Sequence, residues 1–288
     1  HLDRARRLVQ RDFNHPSVII WSLGNEAGDG PNFAASYDLV KSMDSSRPVQ
    51  YEPAIWNGKT DIFCPMYFDY KDCERYASSN PERPLIQCEY AHAMGNSMGG
   101  LKEYWDLIRK YPSYQGGFIW DFVDQALYWP SSAEGTDHVF VYGGDFNDYD
   151  PSDNSFCCNG IIAADRTLHP HAYEVAYQYR SILTSAADQV GKVNVYNENF
   201  FIDLSRYAVQ WNVEVDGAKV LSGSMNMPAI APQSAQTVVL GFDKAQVEEV
   251  AGKSVSDADV YLNVRYVLRR ADGILPAGSQ VAYDQICI

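Results

Sequence analysis

The chain has 288 residues, 46% of them hydrophobic, 13% aromatic and 21% charged, with a net charge of -14. This composition excludes disordered and fibrous classes, and the length predicts two domains. A charge of that sign repels phosphate backbones and no Lys/Arg stripe counters it, while no apolar run nears the roughly 20 residues of a membrane span; nucleic-acid and membrane partners are therefore not expected, and a soluble protein is.

An amphipathic helix comes first: Leu2, Ala5, Leu8, Val9 and Phe13 keep a 3.6-residue period over residues 2–13, and Asn14-His15-Pro16 stops it. The start inside a helix, without an initiator Met, predicts a piece of something longer and leaves the compartment open. Val18 to Leu23 reads as a strand buried on both faces, and Pro31 opens a helix carrying Phe33, Tyr37, Val40 and Met43 along one side. Strands at 49–52 and 61–67, a short helix at 71–78, a strand at 85–90, a helix at 101–110 and a strand from Gly116-Gly117 to Asp121 follow. Five strands joined by crossovers predict an α/β unit with parallel pairing, either a barrel or an open sheet; the lack of a GxGxxG or P-loop weakens the nucleotide-binding open sheet.

Residues 125–168 are rich in loop signals and a helix is predicted at 171–181. Beyond it the pattern turns to alternating strands at 193–196, 208–215, 237–242, 260–268 and 281–286, with turns at Asp216-Gly217 and Asp272-Gly273. The predicted domains are an α/β unit at 1–182 and an all-β sandwich at 183–288. The six cysteines (Cys64, Cys73, Cys88, Cys157, Cys158, Cys287) form no CxxC pair, so free thiols are expected, with the vicinal Cys157-Cys158 packed in a core.

Two strand-like runs end in an acid: Trp21-Ser22-Leu23-Gly24-Asn25-Glu26 and Leu85-Ile86-Gln87-Cys88-Glu89-Tyr90. A buried carboxylate without a partner is costly, so its recurrence at strand ends points to a task. In a parallel barrel, function gathers at the carboxyl ends of strands, where Glu26, Tyr67, Glu89 and Trp120 lie. Retaining glycoside hydrolysis needs a nucleophilic carboxylate and a proton-donating one about 5–5.5 Å apart, which acids on two strands of one barrel can supply. Strand position alone does not divide the roles. Asp121, Asp124 and Asp145 read as structural pairing, and His169 and His171 as capping or surface residues.

The motifs Asn14-His15-Pro16-Ser17, Trp21 to Glu26 and Cys88-Glu89-Tyr90-Ala91-His92-Ala93-Met94-Gly95-Asn96-Ser97 closely resemble the large β-galactosidases of glycoside hydrolase family two. The likeness continues through Arg47 to Glu52, Cys64 to Tyr67, Gln115 to Asp121, Tyr142 to Phe146, Asn159-Gly160 and Ala164 to Thr167, covering residues 1 to about 180 densely. The resemblance implies the C-terminal five strands of a (β/α)8 TIM barrel followed by an immunoglobulin-like β-sandwich. It makes Glu89 the nucleophile and Glu26 the general acid/base. Asn25 is expected on the sugar 2-hydroxyl, Tyr67 on the nucleophile, His92 on a galactose hydroxyl and Trp120 under the pyranose. Phe156, through its carbonyl, and Asn159, through its side chain, match the family's sodium site, with Asn159 also facing substrate. Glu26 matches one ligand of a magnesium site whose other ligands lie upstream.

What the resemblance implies is therefore a fragment of a retaining β-galactosidase, acting on terminal β-galactosides, with Mg2+ and Na+ and homo-oligomerisation in the full-length enzyme. The 288-residue chain alone is expected to be silent or nearly so. The competing readings are a β-glucuronidase or β-mannosidase of the same fold, and a non-catalytic carbohydrate-binding or assembly module.

Overall fold

Helices and parallel strand pairings alternate through residues 1–175, and antiparallel sheets fill residues 176–288; these are the two units into which the chain divides in the computed structural model, which describes residues 1–132 and 135–288.

In the first unit, helix α1 (Leu2–Asp12) brings Val9 into a core with Trp21, Val40 and Val49. Strand β1 (Trp21–Ser22), helix α2 (Pro31–Met43) and strand β2 (Val49–Gln50) follow, with Pro31 at a helix start, where a missing N–H costs nothing. β1 and β2 pair in parallel, Trp21 beside Val49. Asp44 fastens this corner by accepting from Ser46 Oγ (2.6 Å), Trp21 Nε1 (2.8 Å) and Arg47 Nη1 (2.8 Å). These bonds, that from the Ser46 hydroxyl foremost, outweigh burial and hold its carboxyl well below the usual range. The strand expected at 18–23 contracts to β1: Val18 N closes a turn onto His15 O, Gly24 takes φ +103°, and Ile19 is exposed instead of buried.

Helix α3 (Tyr70–Ala77), capped by Asp69, strand β3 (Leu85–Tyr90), helix α4 (Leu101–Lys110) and strand β4 (Tyr114–Ile119) come next, and β3 and β4 pair in parallel. Residues 61–67 run beside β3 through the isolated parallel bridges Phe63–Leu85 and Met66–Glu89, with main-chain bonds from Ile86 N to Phe63 O, Cys88 N to Pro65 O and Tyr67 N to Glu89 O. Pro65 lacks an N–H and Tyr67 sits at φ +51°, so no continuous ladder forms where a strand was expected. β4 starts earlier than predicted, with Gly116 and Gly117 inside it. A Cβ on Gly117 would stand 2.9 Å from the buried Tyr90 ring, so the strand passes that ring only as glycine. The expected loop region contains an antiparallel hairpin of β5 (Leu127–Pro130) and β6 (His138–Val141), and helix α5 (Pro170–Gln178) follows it.

The second unit holds β7 (Ile182–Ala186), β8 (Lys192–Asn197), β9 (Tyr207–Val215), β10 (Ala218–Asn226), β11 (Ser234–Val239), helix α6 (Lys244–Ala251), β12 (Val260–Leu268) and β13 (Gln280–Cys287). The sheets run β10-β9-β12-β13 and β11-β8-β7, all antiparallel. Strict alternation along β9 buries Tyr207, Val209, Trp211, Val213 and Val215, which share one core with Val193, Val195, Val238, Leu262 and Tyr266. This is a β-sandwich. The Asp216-Gly217 hairpin turn takes positive φ at both residues, as a tight type I′ connection requires. β7, β10 and α6 were not expected from sequence. β10 carries Ser222, Gly223 and Ser224 at its centre, a composition that reads as loop until β9 pairs with it.

All six cysteines are free. Cys64 and Cys73 are buried, but the vicinal Cys157 and Cys158 are only partly so and Cys287 is exposed, which corrects the expectation of a core pair. Burial pushes the thiols of Cys64 and Cys73 up to about 11 and that of Cys88 to about 12. Iodoacetamide at pH 8 is therefore expected to alkylate Cys287 in the folded chain and to leave Cys64, Cys73 and Cys88 unmodified until denaturant is added. Peptide mass spectrometry reads this directly, and labelling of Cys88 at the rate of Cys287 would contradict the packing described.

Candidate active site

Glu89 lies one residue before the end of β3 and is only 9% exposed. A buried carboxylate must be hydrogen-bonded, and each of its oxygens takes one donor: Asn25 Nδ2 reaches Oε1 at 2.7 Å and Tyr67 Oη reaches Oε2 at 2.8 Å. The Tyr67 amide also donates to the Glu89 carbonyl at 2.9 Å, so main chain and side chain fix the same pair. Burial, then the hydrogen bond to and charge of Glu89, with a smaller contribution from Glu26, raise the Tyr67 phenol far above its ordinary range. It therefore remains a donor to Glu89 at any working pH.

The rings extend this cluster. His92 lies against Tyr67 at 5.9 Å between centroids and 20° between planes, and Phe156 meets His92 edge-on at 5.5 Å. Asn159, 2% exposed, donates from Nδ2 to the Phe156 carbonyl at 3.0 Å. Asn25, Glu89, Tyr67, His92, Phe156 and Asn159 thus form one continuous series of contacts assembled from distant parts of the sequence. Trp120 joins through its backbone, accepting from Ala93 N at 2.8 Å and donating to Tyr90 O at 3.3 Å. Two buried polar atoms in this series, His92 Nε2 and Asn159 Oδ1, have no hydrogen-bond partner among the described residues. Unmet hydrogen-bonding capacity beside an aligned carboxylate is what a polyhydroxylated substrate would use.

Glu26 behaves differently from the buried acid expected. It is exposed, and among the described residues its carboxylate has no hydrogen bond or ion pair; its backbone N–H donates to Glu52 Oε2 at 3.4 Å. Glu26, Tyr67 and Ala91 all adopt positive φ, between +49° and +51°, a conformation non-glycine residues keep only where the surroundings impose it. Tyr67 bonds the Glu89 carboxylate, Ala91 follows it by two residues, and Glu26 follows Asn25, which bonds it. Asn25, expected on substrate, has one donor committed to Glu89 in this structure.

Glu52 was missed, although the signal was available: it follows β2 as Glu26 follows β1 and as Glu89 closes β3. Asp124 and His169, read as structural and surface residues, are bonded to each other at 2.8 Å, and His171 bonds the Gly160 carbonyl at 3.0 Å. Nothing local could have shown contacts spanning 45 residues.

No group of three or more His, Cys, Asp or Glu that could hold a metal occurs among the described residues. A magnesium ion prefers near-octahedral oxygen ligands, and the residues around Glu26 do not fit such a set. The Phe156 carbonyl with the orphaned Asn159 Oδ1 does offer two oxygens suited to a hard monovalent cation.

Residues 1–184 match the family model described as glycosyl hydrolases family 2, TIM barrel domain, and residues 193–288 match that of beta-galactosidase, domain 4. Among curated proteins, the chain is 40% identical over 291 residues to a beta-galactosidase of Priestia megaterium, covering 100% of this chain and 27% of that protein. It is 39% identical over 297 residues to one of Pectobacterium atrosepticum, covering 98% of this chain and 28% of that protein. The chain therefore spans little more than a quarter of the length of these relatives. A solved structure of Parabacteroides merdae beta-glucuronidase is similar at a TM-score of 0.45 and 15% identity, over 99% of this chain and 38% of that one.

Proposed function

This chain belongs to glycosyl hydrolase family 2, and from that premise we propose that it carries the nucleophile and the acid/base of a retaining β-galactosidase. The observation that supports the reading most is Glu89: buried at the carboxyl end of a parallel strand, with one donor on each oxygen and two unpartnered polar atoms in the same contact series. In this reading the strands of the first unit are the C-terminal five of an eight-stranded barrel, and the sandwich is immunoglobulin-like.

The chemistry is a double displacement. A Glu89 oxygen attacks the anomeric carbon while Glu26 gives its proton to the departing oxygen, leaving a galactosyl ester on Glu89. Glu26, now a carboxylate, takes a proton from water; the water oxygen attacks the anomeric carbon and the ester bond breaks, regenerating Glu89. Asn25 and Tyr67 hold the attacking carboxylate, His92 and Asn159 offer their open polar atoms to sugar hydroxyls, and Trp120 supplies a ring face. The exposed position of Glu26 suits a group that must meet both leaving group and water.

Na+ fits the Phe156 carbonyl and Asn159 Oδ1, where it would replace the hydrogen bond from Asn159 Nδ2 and present its charge to a sugar hydroxyl. The described residues around Glu26 do not make a Mg2+ site; Glu26 would be one ligand of a site completed elsewhere in the enzyme. The complete enzyme is proposed to be a homo-oligomer, and the 288-residue chain by itself to be silent, the latter supported by the absence, among the described residues, of a group that could complete a metal site with Glu26.

The test compares kcat/KM of the complete enzyme for nitrophenyl β-D-galactoside, β-D-glucuronide and β-D-mannoside. Galactoside is expected to lead by about 10²-fold or more, the scale on which a site built for one hydroxyl pattern rejects another. A lead for glucuronide or mannoside overturns the substrate, galactose binding without turnover favours a binding module, and robust turnover by the 288-residue chain overturns its silence. Tyr67→Phe is expected to lower kcat by about 10- to 100-fold with little change in KM, because it removes one charge-assisted hydrogen bond, worth about 1.5–3 kcal/mol, from the attacking group. A change confined to KM would place Tyr67 on substrate instead.

A further inference from the structure

We infer that Asp124, His169 and His171 are positioning residues that clamp the Gly160 peptide and through it set Asn159 and Phe156, the wall on which the proposed sugar rests. Both main-chain polar groups of Gly160, one in each of the peptides that flank it, are held. Gly160 N donates to Asp124 Oδ1 at 2.7 Å, and Gly160 O accepts from His171 Nε2 at 3.0 Å. The other Asp124 oxygen accepts from His169 Nε2 at 2.8 Å, so the carboxylate, only 10% exposed, cannot turn away from the peptide without losing the histidine.

The backbone around the clamp admits no slack on this side. A Cβ on residue 160 would fall 2.1 Å from Asp124 N and 2.3 Å from Val123 C, so the chain passes there only as glycine. Asp121 N donates to Asn159 O at 2.5 Å, Ile161 N to Asp121 O at 3.0 Å and Asp124 N to Ile162 O at 2.9 Å, stitching residues 121–124, next to Trp120, along residues 159–162. On the far side lies a cavity of about 330 Å3 bounded by Ala93, Met94, Gly95, Cys158, Pro170 and the clamp itself. The segment after Glu89 and the segment holding Asn159 thus face a shared space, and the clamp keeps Asn159 from relaxing into it. None of these three residues belongs to the series of contacts around Glu89, so their effect on a substrate is transmitted through Gly160. The inference rests on the proposed glycosidase reading for its substrate, not for its geometry.

Two readouts separate the clamp from that reading. In the complete enzyme, Asp124→Ala and His169→Ala are expected to speed amide hydrogen exchange across residues 156–163. They are also expected to raise KM for the enzyme's best nitrophenyl glycoside by about tenfold, with kcat within about threefold, as loss of positioning and not of chemistry. His169→Gln, which keeps a side-chain N–H for Asp124, is expected to restore both. Unchanged exchange in His169→Ala overturns the clamp; faster exchange with unchanged KM, or a fall confined to kcat, overturns its role in placing substrate. If Asp124→Ala fails to fold, the histidine pair decides. Because exchange is read without substrate and KM on whichever glycoside is cleaved best, failure of the galactose assignment leaves the clamp testable.

Discussion

Replacing Glu89 by glutamine in the complete enzyme is expected to lower kcat/KM for nitrophenyl β-galactoside by at least ~10⁴-fold, the scale of removing a covalent nucleophile. The substitution keeps size and leaves one oxygen to accept from a neighbour, but the second oxygen becomes an amide nitrogen. The amide oxygen can still accept from Asn25 Nδ2, now at 2.7 Å, while the amide nitrogen faces Tyr67 Oη, now at 2.8 Å, whose hydroxyl must rotate and accept instead of donating. The loss is expected in kcat, with substrate still bound. In Glu89→Gly, which vacates the side from which Glu89 attacks, azide should restore turnover of an activated galactoside, giving the α-galactosyl azide. A glutamine variant that retains activity within tenfold would remove Glu89 from the chemistry.

Glu26→Ala is expected to act through the leaving group. For a poor one, as in lactose, loss of general acid catalysis costs about 10²–10⁴-fold; for dinitrophenyl β-galactoside, which departs without a proton, formation of the galactosyl ester should be almost unchanged and its breakdown slowed. Azide then attacks that ester and yields the β-galactosyl azide. Glu89→Gly and Glu26→Ala therefore produce opposite anomers, and exchanged stereochemistry would exchange the roles of the two acids. Because Glu26 is exposed and its carboxylate has no described partner, the substitution should leave thermal stability intact, which separates a chemical effect from a structural one.

The sequence displayed Glu89 well because β3 is a continuous run from Leu85 to Tyr90 whose apolar character announces a buried strand. It displayed residues 61–67 poorly, since an apolar run does not reveal that Pro65 and a left-handed Tyr67 interrupt the regular ladder. The same conformation at Tyr67 accompanies its phenol's bond to Glu89, so the departure from a regular strand falls at the candidate site. In the sandwich, β9 and β12 were legible from strict alternation, whereas β10 owes its conformation to pairing with β9 and is nearly invisible by composition. Hydrogen bonds between Asp124, Gly160 and His169 join residues 36 and 45 apart and leave no local periodicity. Polar pairing across such distances is decided by tertiary structure, which explains why Asp124 reads from sequence as a pairing residue without a named partner and His169 as a capping or surface residue.

The most direct test of the central claim traps the intermediate. Incubating the complete enzyme with a 2-deoxy-2-fluoro-galactosyl donor slows breakdown of the glycosyl ester, and peptide mass spectrometry then locates the sugar. The expected adduct is on Glu89, within the peptide containing Gln87-Cys88-Glu89-Tyr90; an adduct on Glu26, Glu52 or any other residue would contradict the account.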